Sequence, residues 1–316
     1  SPRRIVYKVN HNMNNYTKTT KIWLEERFKE TTESNVYFAH QPIYGFRDPN
    51  SEKYVLNRYI VTYQIMKALS HIKFDSLLDV GGAEGYKAAM IKFFFGVRVR
   101  NCDISSEACK RAKEIFKIES DTIDILKLPY KDNEFDVVLC SETLEHIPDL
   151  EAATKELIRV CKKAVIITVP NEPKEVIDYN VKNNIPHAHI HSLNKNSFDF
   201  INDKIDFKLV KNILHPLLNL PSAIIEASKK DSYSSSYSKK LIKFYNFFIP
   251  LFRFIFNEKA VCTIIKIDNL LSNKKLRHGG FIFILIKQSD CYSEKELKNV
   301  SCDSVINFKV PHYKLI

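Results

Sequence analysis

The chain has 316 residues, 45% of them hydrophobic and only 7 of them glycine, which excludes a disordered segment, a collagen-like repeat and a linker-rich design. That length can bury a sizeable core, as one large domain with additions or as two modest domains. With 48 lysines and arginines against 37 aspartates and glutamates, the formal net charge is +11. The balance favours anionic partners such as phosphates, nucleic acid or acidic lipid headgroups, although the charge is scattered rather than gathered in a stripe.

Residues 1–75 read as a helical lead-in. Thr20 to Glu30 is amphipathic, and Lys53 to Ser70 repeats apolar residues at helical spacing (Tyr54, Val55, Tyr59, Ile60, Tyr63, Met66, Leu69). Between them lies an aromatic loop, His40 to Arg47. The texture then changes to short apolar runs alternating with amphipathic stretches. Ser76–Val80, Val97–Asp103, Thr122–Ile125, Phe135–Ser141 and Ala164–Val169 read as buried strands. Gly85–Phe95, Ser105–Phe116 and Asp149–Cys161 read as helices between them. This alternation predicts a doubly wound α/β fold, a parallel sheet with helices on both faces. After a loop rich in histidine and asparagine, a helix over Ser197–Asp203 and a strand over Phe207–Leu214 follow. Residues 214–276 interrupt the pattern as a helical insertion, and the sheet resumes within 277–290, at Gly279 to Lys287. A tail over 291–316 closes the chain.

Three of the seven glycines, Gly81, Gly82 and Gly85, fall within five positions of LLDVGGAEG, Leu77 to Gly85. An apolar strand ending in Asp79, a turn of small residues and a helix start let backbone N–H groups face a ligand. No G-K-[ST] follows, so a P-loop is excluded. The next strand ends at Asp103, 18 residues after Gly85, where a carboxylate can accept from both hydroxyls of a ribose. Asp124 stands at the end of the third strand.

With these features, and with Leu128 to Val138 (LP-x-x-D-N-E-F-D-V-V), LEHI-x-D and Thr168 to Asn171 (TVPN), the chain resembles the class I S-adenosylmethionine-dependent methyltransferases. The resemblance runs from about Ser76 to Phe200 and returns at the final strand. It departs at Ala83, where the family usually has a third glycine. It implies a seven-stranded, mostly parallel Rossmann-like sheet with S-adenosylmethionine across the carboxyl ends of the first strands. Carried over residue by residue, Asp79, Gly81 and Gly85 frame the methionine end, with Gly82 only easing the turn. Asp103 takes the ribose, Asp124 and Ile125 meet the adenine, and Ile104 and Ser141 complete the cofactor contacts.

Cys140 to His146 presents Glu142, Glu145 and His146, which share one face if a helix starts there. His187, His189 and His191 alternate onto one side if extended. Two carboxylates with one or two imidazoles suit Mg²⁺, Mn²⁺ or Zn²⁺. The E-x-x-E-H set with a later histidine is similar to two metal-dependent branches of the superfamily. These are the catechol O-methyltransferases of ubiquinone biosynthesis and the enzymes that 2′-O-methylate small-RNA 3′ ends. The resemblance implies Glu142, Glu145, His146 and His189 as ligands, with His187 or His191 as a substitute or general base. The competing reading is metal-free, with glutamates capping the helix or lining the pocket and His146, His189 or His191 as the base.

The stretch Leu241 to Phe256 is mostly apolar or aromatic, broken by Pro250 and flanked by lysines. It is too short for a membrane span. A lid over the substrate cleft, a basic aromatic surface docking on anionic membrane and a dimer contact all fit it. The first two readings suggest a small or lipid-linked acceptor, such as a sugar or phenolic ring. An RNA acceptor is the alternative, although no standard RNA-binding signature is present. A non-catalytic subunit that binds the cofactor is a further one. The unpaired cysteines and the charged start of the chain point to a cytoplasmic protein, and the membrane-docking reading of Leu241 to Phe256 would place it peripherally at the inner membrane surface.

Overall fold

The computed structural model describes residues 13–29, 52–214, 262–272 and 278–308. The aromatic loop His40–Arg47 and the run Leu241–Phe256 lie outside the described residues.

One sheet organises the fold. Its strands are β1 (Ser76–Val80), β2 (Arg98–Asp103), β3 (Glu119–Thr122), β4 (Phe135–Ser141), β5 (Cys161–Pro170), β6 (Phe207–Ile213) and β7 (Gly280–Ile286). They lie in the order β3-β2-β1-β4-β5-β7-β6. The β3-β2-β1-β4-β5 stretch is parallel throughout. β7 is antiparallel to both β5 and β6. The expected doubly wound, seven-stranded, mostly parallel sheet is present.

Period-two alternation sends neighbouring residues to opposite faces. Leu77, Val137, Leu139, Ala164 and Ile166 pack on one face with Ile65, Met66, Leu69, Met90 and Ile91. These last come from α2 (Glu52–Leu69) and α3 (Tyr86–Phe95). Leu78, Val80, Val138, Cys140, Val165 and Ile167 pack on the other face with Leu157 and Ile158 of α5 (Leu150–Val160). A parallel sheet covered on both faces needs such continuous apolar runs.

The helices that link the strands start where their sequences provide caps. The Ser105 hydroxyl accepts from the Ala108 N–H at 3.2 Å, opening α4 (Ser106–Phe116). Asp149 accepts from the Ala152 N–H at 2.9 Å at the start of α5. α1 (Met13–Lys29) lies against α4, where Leu24 and Phe28 meet Ala108 and Ile115. α6 (Lys174–Lys182), which the apolar pattern does not announce, buries only Ile177. A helix spans 262–271, and the tail contains the short helix Cys302–Ile306.

Three expectations are corrected. The third strand is Glu119–Thr122 rather than Thr122–Ile125. At this edge of the sheet the strand buries little beyond Ser120, so the apolar signal belongs to the turn after it, where Ile125 enters the core. The helix over Ser197–Asp203 is a 3₁₀ segment, Asp199–Lys204. The E-x-x-E-H stretch forms no α-helix: Glu142 has φ 53° and only Leu144–His146 make a 3₁₀ turn. Among the described residues no helix is long and apolar enough to cross a membrane.

Candidate active site

Chain order reverses between β1 and β4, which lie side by side while their connections run to opposite sides. The crevice outside the carboxyl ends of these strands is where sheets of this kind bind ligands. The glycine turn, Asp79, Asp103 and the residues after Ser141 all end there.

The turn is held closely from below. The Gly81 and Gly82 N–H groups both donate to the Cys102 carbonyl, at 2.8 and 3.2 Å. Gly81 has φ +70°, and a Cβ on it would lie 2.4 Å from Thr143 Oγ1. At Gly82 a Cβ would lie 2.0 Å from Asn101 Oδ1 and 2.7 Å from Asp79 Cγ. Gly82 is therefore a close-approach position, more than an aid to the turn. Gly85 begins α3 and lies over α4, where a Cβ would sit 3.1 Å from that of Ala112. Its tightest neighbour is thus helix packing. Ala83 takes the left-handed conformation (φ 49°) and is pinned at both ends. Its N–H donates to Asp103 Oδ2 at 3.0 Å, and its carbonyl accepts from Asn101 Nδ2 at 3.0 Å.

Asp79 is 1% exposed, and among the described residues neither carboxylate oxygen has a hydrogen-bond partner. Burial pushes its pKa up to about 6, against the pull of Lys87 and with a further push from Asp103. Asp103 also accepts from the Ser105 N–H at 2.9 Å, which leaves lone pairs on both oxygens. Burial raises it to about 6 despite its backbone hydrogen bonds. The other expected cofactor residues sit differently. Ile104 packs against the cluster of Leu24 and Phe28. Asp124 is exposed and accepts from the Leu126 N–H at 2.9 Å, in a turn and not at a strand end. Ile125 is a core residue. The Ser141 hydroxyl is tied to Thr168 Oγ1 at 2.8 Å.

Beyond β4 the site becomes acidic and histidine-rich. Glu145 is fully buried, and among the described residues both its carboxylate oxygens lack hydrogen-bond partners. His146 Nε2 lies 3.8 Å from Glu145 Oε1, and His189 Nε2 lies 4.0 Å from it. One ligand atom from each of these three residues falls within 4.8 Å of the others. His146 Nδ1 donates to the Ala188 carbonyl at 3.0 Å, which fixes its proton there and leaves Nε2 toward Glu145. His189 Nδ1 is 2.8 Å from Glu172 Oε1. Burial and then the charge of Glu142 push Glu145 up to about 8. Burial alone would lower His189, but Glu172, Glu145 and Glu142 outweigh it and raise the imidazole to about 9.

The remaining predicted residues fall outside this trio. Glu142, half-buried, is close enough to act electrostatically on Glu145 but is not part of the trio. The histidine tract does not alternate on one side, because His187 has φ +51°. His187 instead stacks on His146, ring centroids 4.0 Å apart. His191 Nε2 donates to the Ile147 carbonyl at 2.7 Å, so that nitrogen is already engaged.

Sequence reasoning missed Asn101, Glu172 and Glu25. Asn101 alone carried a signal, a polar side chain inside the strand run RVRNCD. Glu172, just beyond TVPN, and Glu25, on α1, reach the site only through the fold.

Residues 78–169 match the family model of a methyltransferase domain. The chain is 32% identical over 120 residues to norajmaline N-methyltransferase of Rauvolfia serpentina, covering 36% of this chain and 39% of that one. Over 175 residues it is 29% identical to the chloroplastic tocopherol O-methyltransferase of Arabidopsis thaliana, covering 48% and 47%. An uncharacterized protein of Methanocaldococcus jannaschii is 30% identical over 184 residues, 57% of this chain and 77% of that protein. The match spans less than half the length of the two named enzymes. Their names put the methyl group on nitrogen in one case and on oxygen in the other.

Proposed function

The chain belongs to the class I S-adenosylmethionine-dependent methyltransferases, and on that premise we propose that it methylates a hydroxyl of a small or lipid-linked acceptor, a vicinal diol on a sugar or phenolic ring, with the help of a divalent cation. The observation that carries this reading is the convergence of Glu145, His146 and His189 beside the glycine turn. A fully buried carboxylate whose two oxygens have no hydrogen-bond partner among the described residues is costly unless a cation or donor meets it. One carboxylate and two imidazoles are a donor set suited to Mn²⁺ or Zn²⁺, and to Mg²⁺ where further oxygens join.

The residues present fit both groups. Asp79 has two buried acceptor oxygens without partners among the described residues, and beside it lies a turn that a Cβ would fill. When bound, the cofactor supplies an electrophilic sulfonium methyl group, and the cation supplies the Lewis acidity that lowers the pKa of an acceptor hydroxyl. The chain does the rest. Asp79 would accept from the cofactor's ammonium group and Asp103 from its ribose hydroxyls. Ala188 and Glu172 engage the Nδ1 atoms of His146 and His189, turning both Nε2 atoms inward as outer partners of metal-binding histidines do. The preference for a lipid-linked acceptor rests on the apolar and aromatic run Leu241–Phe256.

The test is release of S-adenosylhomocysteine from S-adenosylmethionine by the full chain, offered catechols, sugar diols, amines and RNA. Turnover on a diol should vanish in EDTA, return with Mg²⁺, Mn²⁺ or Zn²⁺, and be absent in Glu145→Gln. Full turnover in chelator overturns the cation. Methylation of amines or RNA with no diol accepted overturns the acceptor class.

A further inference from the structure

Three side chains of α1, Tyr16, Thr20 and Trp23, stand at helical spacing i, i+4 and i+7 and so form one stripe. All three meet the same turn. The Tyr16 hydroxyl donates to the Ala188 carbonyl at 2.7 Å. Thr20 Oγ1 accepts from the His187 N–H at 3.2 Å. The Trp23 ring stacks on His187 at 4.9 Å between centroids, and His187 also stacks on His146 at 4.0 Å. Trp23, His187 and His146 thus form a continuous stack leading from the N-terminal helix into the candidate cation site.

The turn they grip is strained. His187 has φ +51° and Asn184 φ +47°, a region that costs a non-glycine residue about 1–2 kcal/mol, so it persists only where its surroundings impose it. The Ala188 carbonyl that Tyr16 holds is also the acceptor for His146 Nδ1. The next residue, His189, is the third member of the trio. α1 is anchored by Leu24 and Phe28, which pack on α4 with Trp23 against the same cluster, so the stripe has a fixed base from which to act.

We propose that Tyr16, Thr20 and Trp23 are positioning residues: they hold the His187–His189 turn in its left-handed conformation and thereby set the tautomer of His146 and the place of His189 beside Glu145. The proposal rests on the active-site reading above for its purpose, but not for its measurement. None of the three touches reacting atoms. Their effect passes through one backbone carbonyl, one backbone N–H and one ring stack.

The experiment uses the full chain labelled with ¹⁵N-histidine, without added metal, as wild type, Tyr16→Phe, Thr20→Val and Trp23→Leu. Two-bond ¹H–¹⁵N spectra report the tautomer of each histidine, and hydrogen exchange reports the backbone over 185–191. Wild type should show His146 protonated at Nδ1, with slow exchange at the His187 amide. In Tyr16→Phe and Trp23→Leu that single-tautomer signature should be lost and exchange over 185–191 should quicken by about tenfold or more. Peptides of β4 and β5 should exchange as in wild type, and S-adenosylhomocysteine affinity should change by less than about twofold. If a variant unfolds, β4 and β5 lose protection too, and the milder Tyr16→Phe and Thr20→Val decide. Wild-type tautomer and exchange in those variants overturn the proposal, even if methyl transfer is established. These readouts require neither cation nor acceptor, so they stand if the catalytic reading fails.

Discussion

The Asn101 side chain, buried in β2, donates to the carbonyl of Ala83 at 3.0 Å, so an interior amide holds a left-handed alanine at the centre of the cofactor turn. The same Nδ2 donates to Ser120 Oγ at 2.8 Å on the neighbouring strand. The turn is therefore built from below by β2 as well as by its own glycines.

Replacing Asn101 by leucine should leave the Ala83 carbonyl without this donor and put a bulkier methyl group where Oδ1 now lies against Gly82. We expect a loss of about 1–3 kcal/mol in stability, read from urea unfolding, together with weaker binding of S-adenosylhomocysteine. Gly82→Ala should be more damaging to binding, because its Cβ would meet both Asn101 Oδ1 and the Asp79 carboxylate under 3 Å. Calorimetric affinity equal to wild type in Gly82→Ala would refute the close-approach role.

Cofactor affinity should depend on pH through Asp103 and Asp79, each raised to about 6 chiefly by burial. Both must be ionised to act as acceptors only, so protonation weakens binding. Between neutral pH and about pH 5, affinity should fall by about tenfold for each carboxylate that takes up a proton. Asp103→Asn should bind weakly at all pH and show a shallower profile. A flat wild-type profile across that window would refute the assignment.

How much of this could be seen in the sequence differs by element. β1 and β4 are continuous apolar runs with sharp ends, and both were placed to the residue. β3 was displaced because Glu119 to Thr122 is polar and pairs at the edge of the parallel ladder, where Arg100 meets Glu119 and Asp121. Edge strands need little apolar surface, so the hydrophobic signal slid to Ile123 and Ile125. Glu145, His146 and His189 were legible as residue types. Their geometry was not, because it depends on the positive φ of Glu142 and His187, which spacing rules for helices and strands cannot express. Tyr16 and Glu25 were invisible for another reason: their partners lie 172 and about 80 residues away.

Glu25 acts as a cap supplied by another helix. Its carboxylate accepts from the N–H groups of Ser106 at 2.7 Å and Glu107 at 2.9 Å, and from the hydroxyls of Ser105 and Ser106. Burial pushes its pKa up, but these hydrogen bonds prevail and hold it below the usual carboxylate value. A lowered acid contributes stability that is present above its unfolded pKa and lost as pH falls through the folded one. Glu25→Ala should therefore cost about 0.5–2 kcal/mol near neutral pH, less in acid, and should speed hydrogen exchange in α1. Unchanged melting and exchange would show that α1 docks without help from Glu25.

Glu145 should have the opposite influence on the metal-free protein. It is fully buried, neither oxygen has a hydrogen-bond partner among the described residues, and burial with the nearby Glu142 raises it to about 8. A raised acid binds its proton more tightly in the native state, so stability falls as pH rises from the unfolded value toward the folded one. Glu145→Gln removes that penalty. In EDTA the variant should melt a few degrees above wild type at about pH 8 and converge with it near pH 5, a scale set by roughly 2–8 °C per kcal/mol for domains of ordinary size. Adding Mn²⁺ or Zn²⁺ should raise the melting temperature of wild type by mass action and leave Glu145→Gln nearly unmoved. Stabilisation of both proteins by the cation to the same extent would place any bound metal elsewhere. A variant that melts lower than wild type at every pH would mean that Glu145 is satisfied by donors within the fold, and the case for a cation beside His146 and His189 would fall with it.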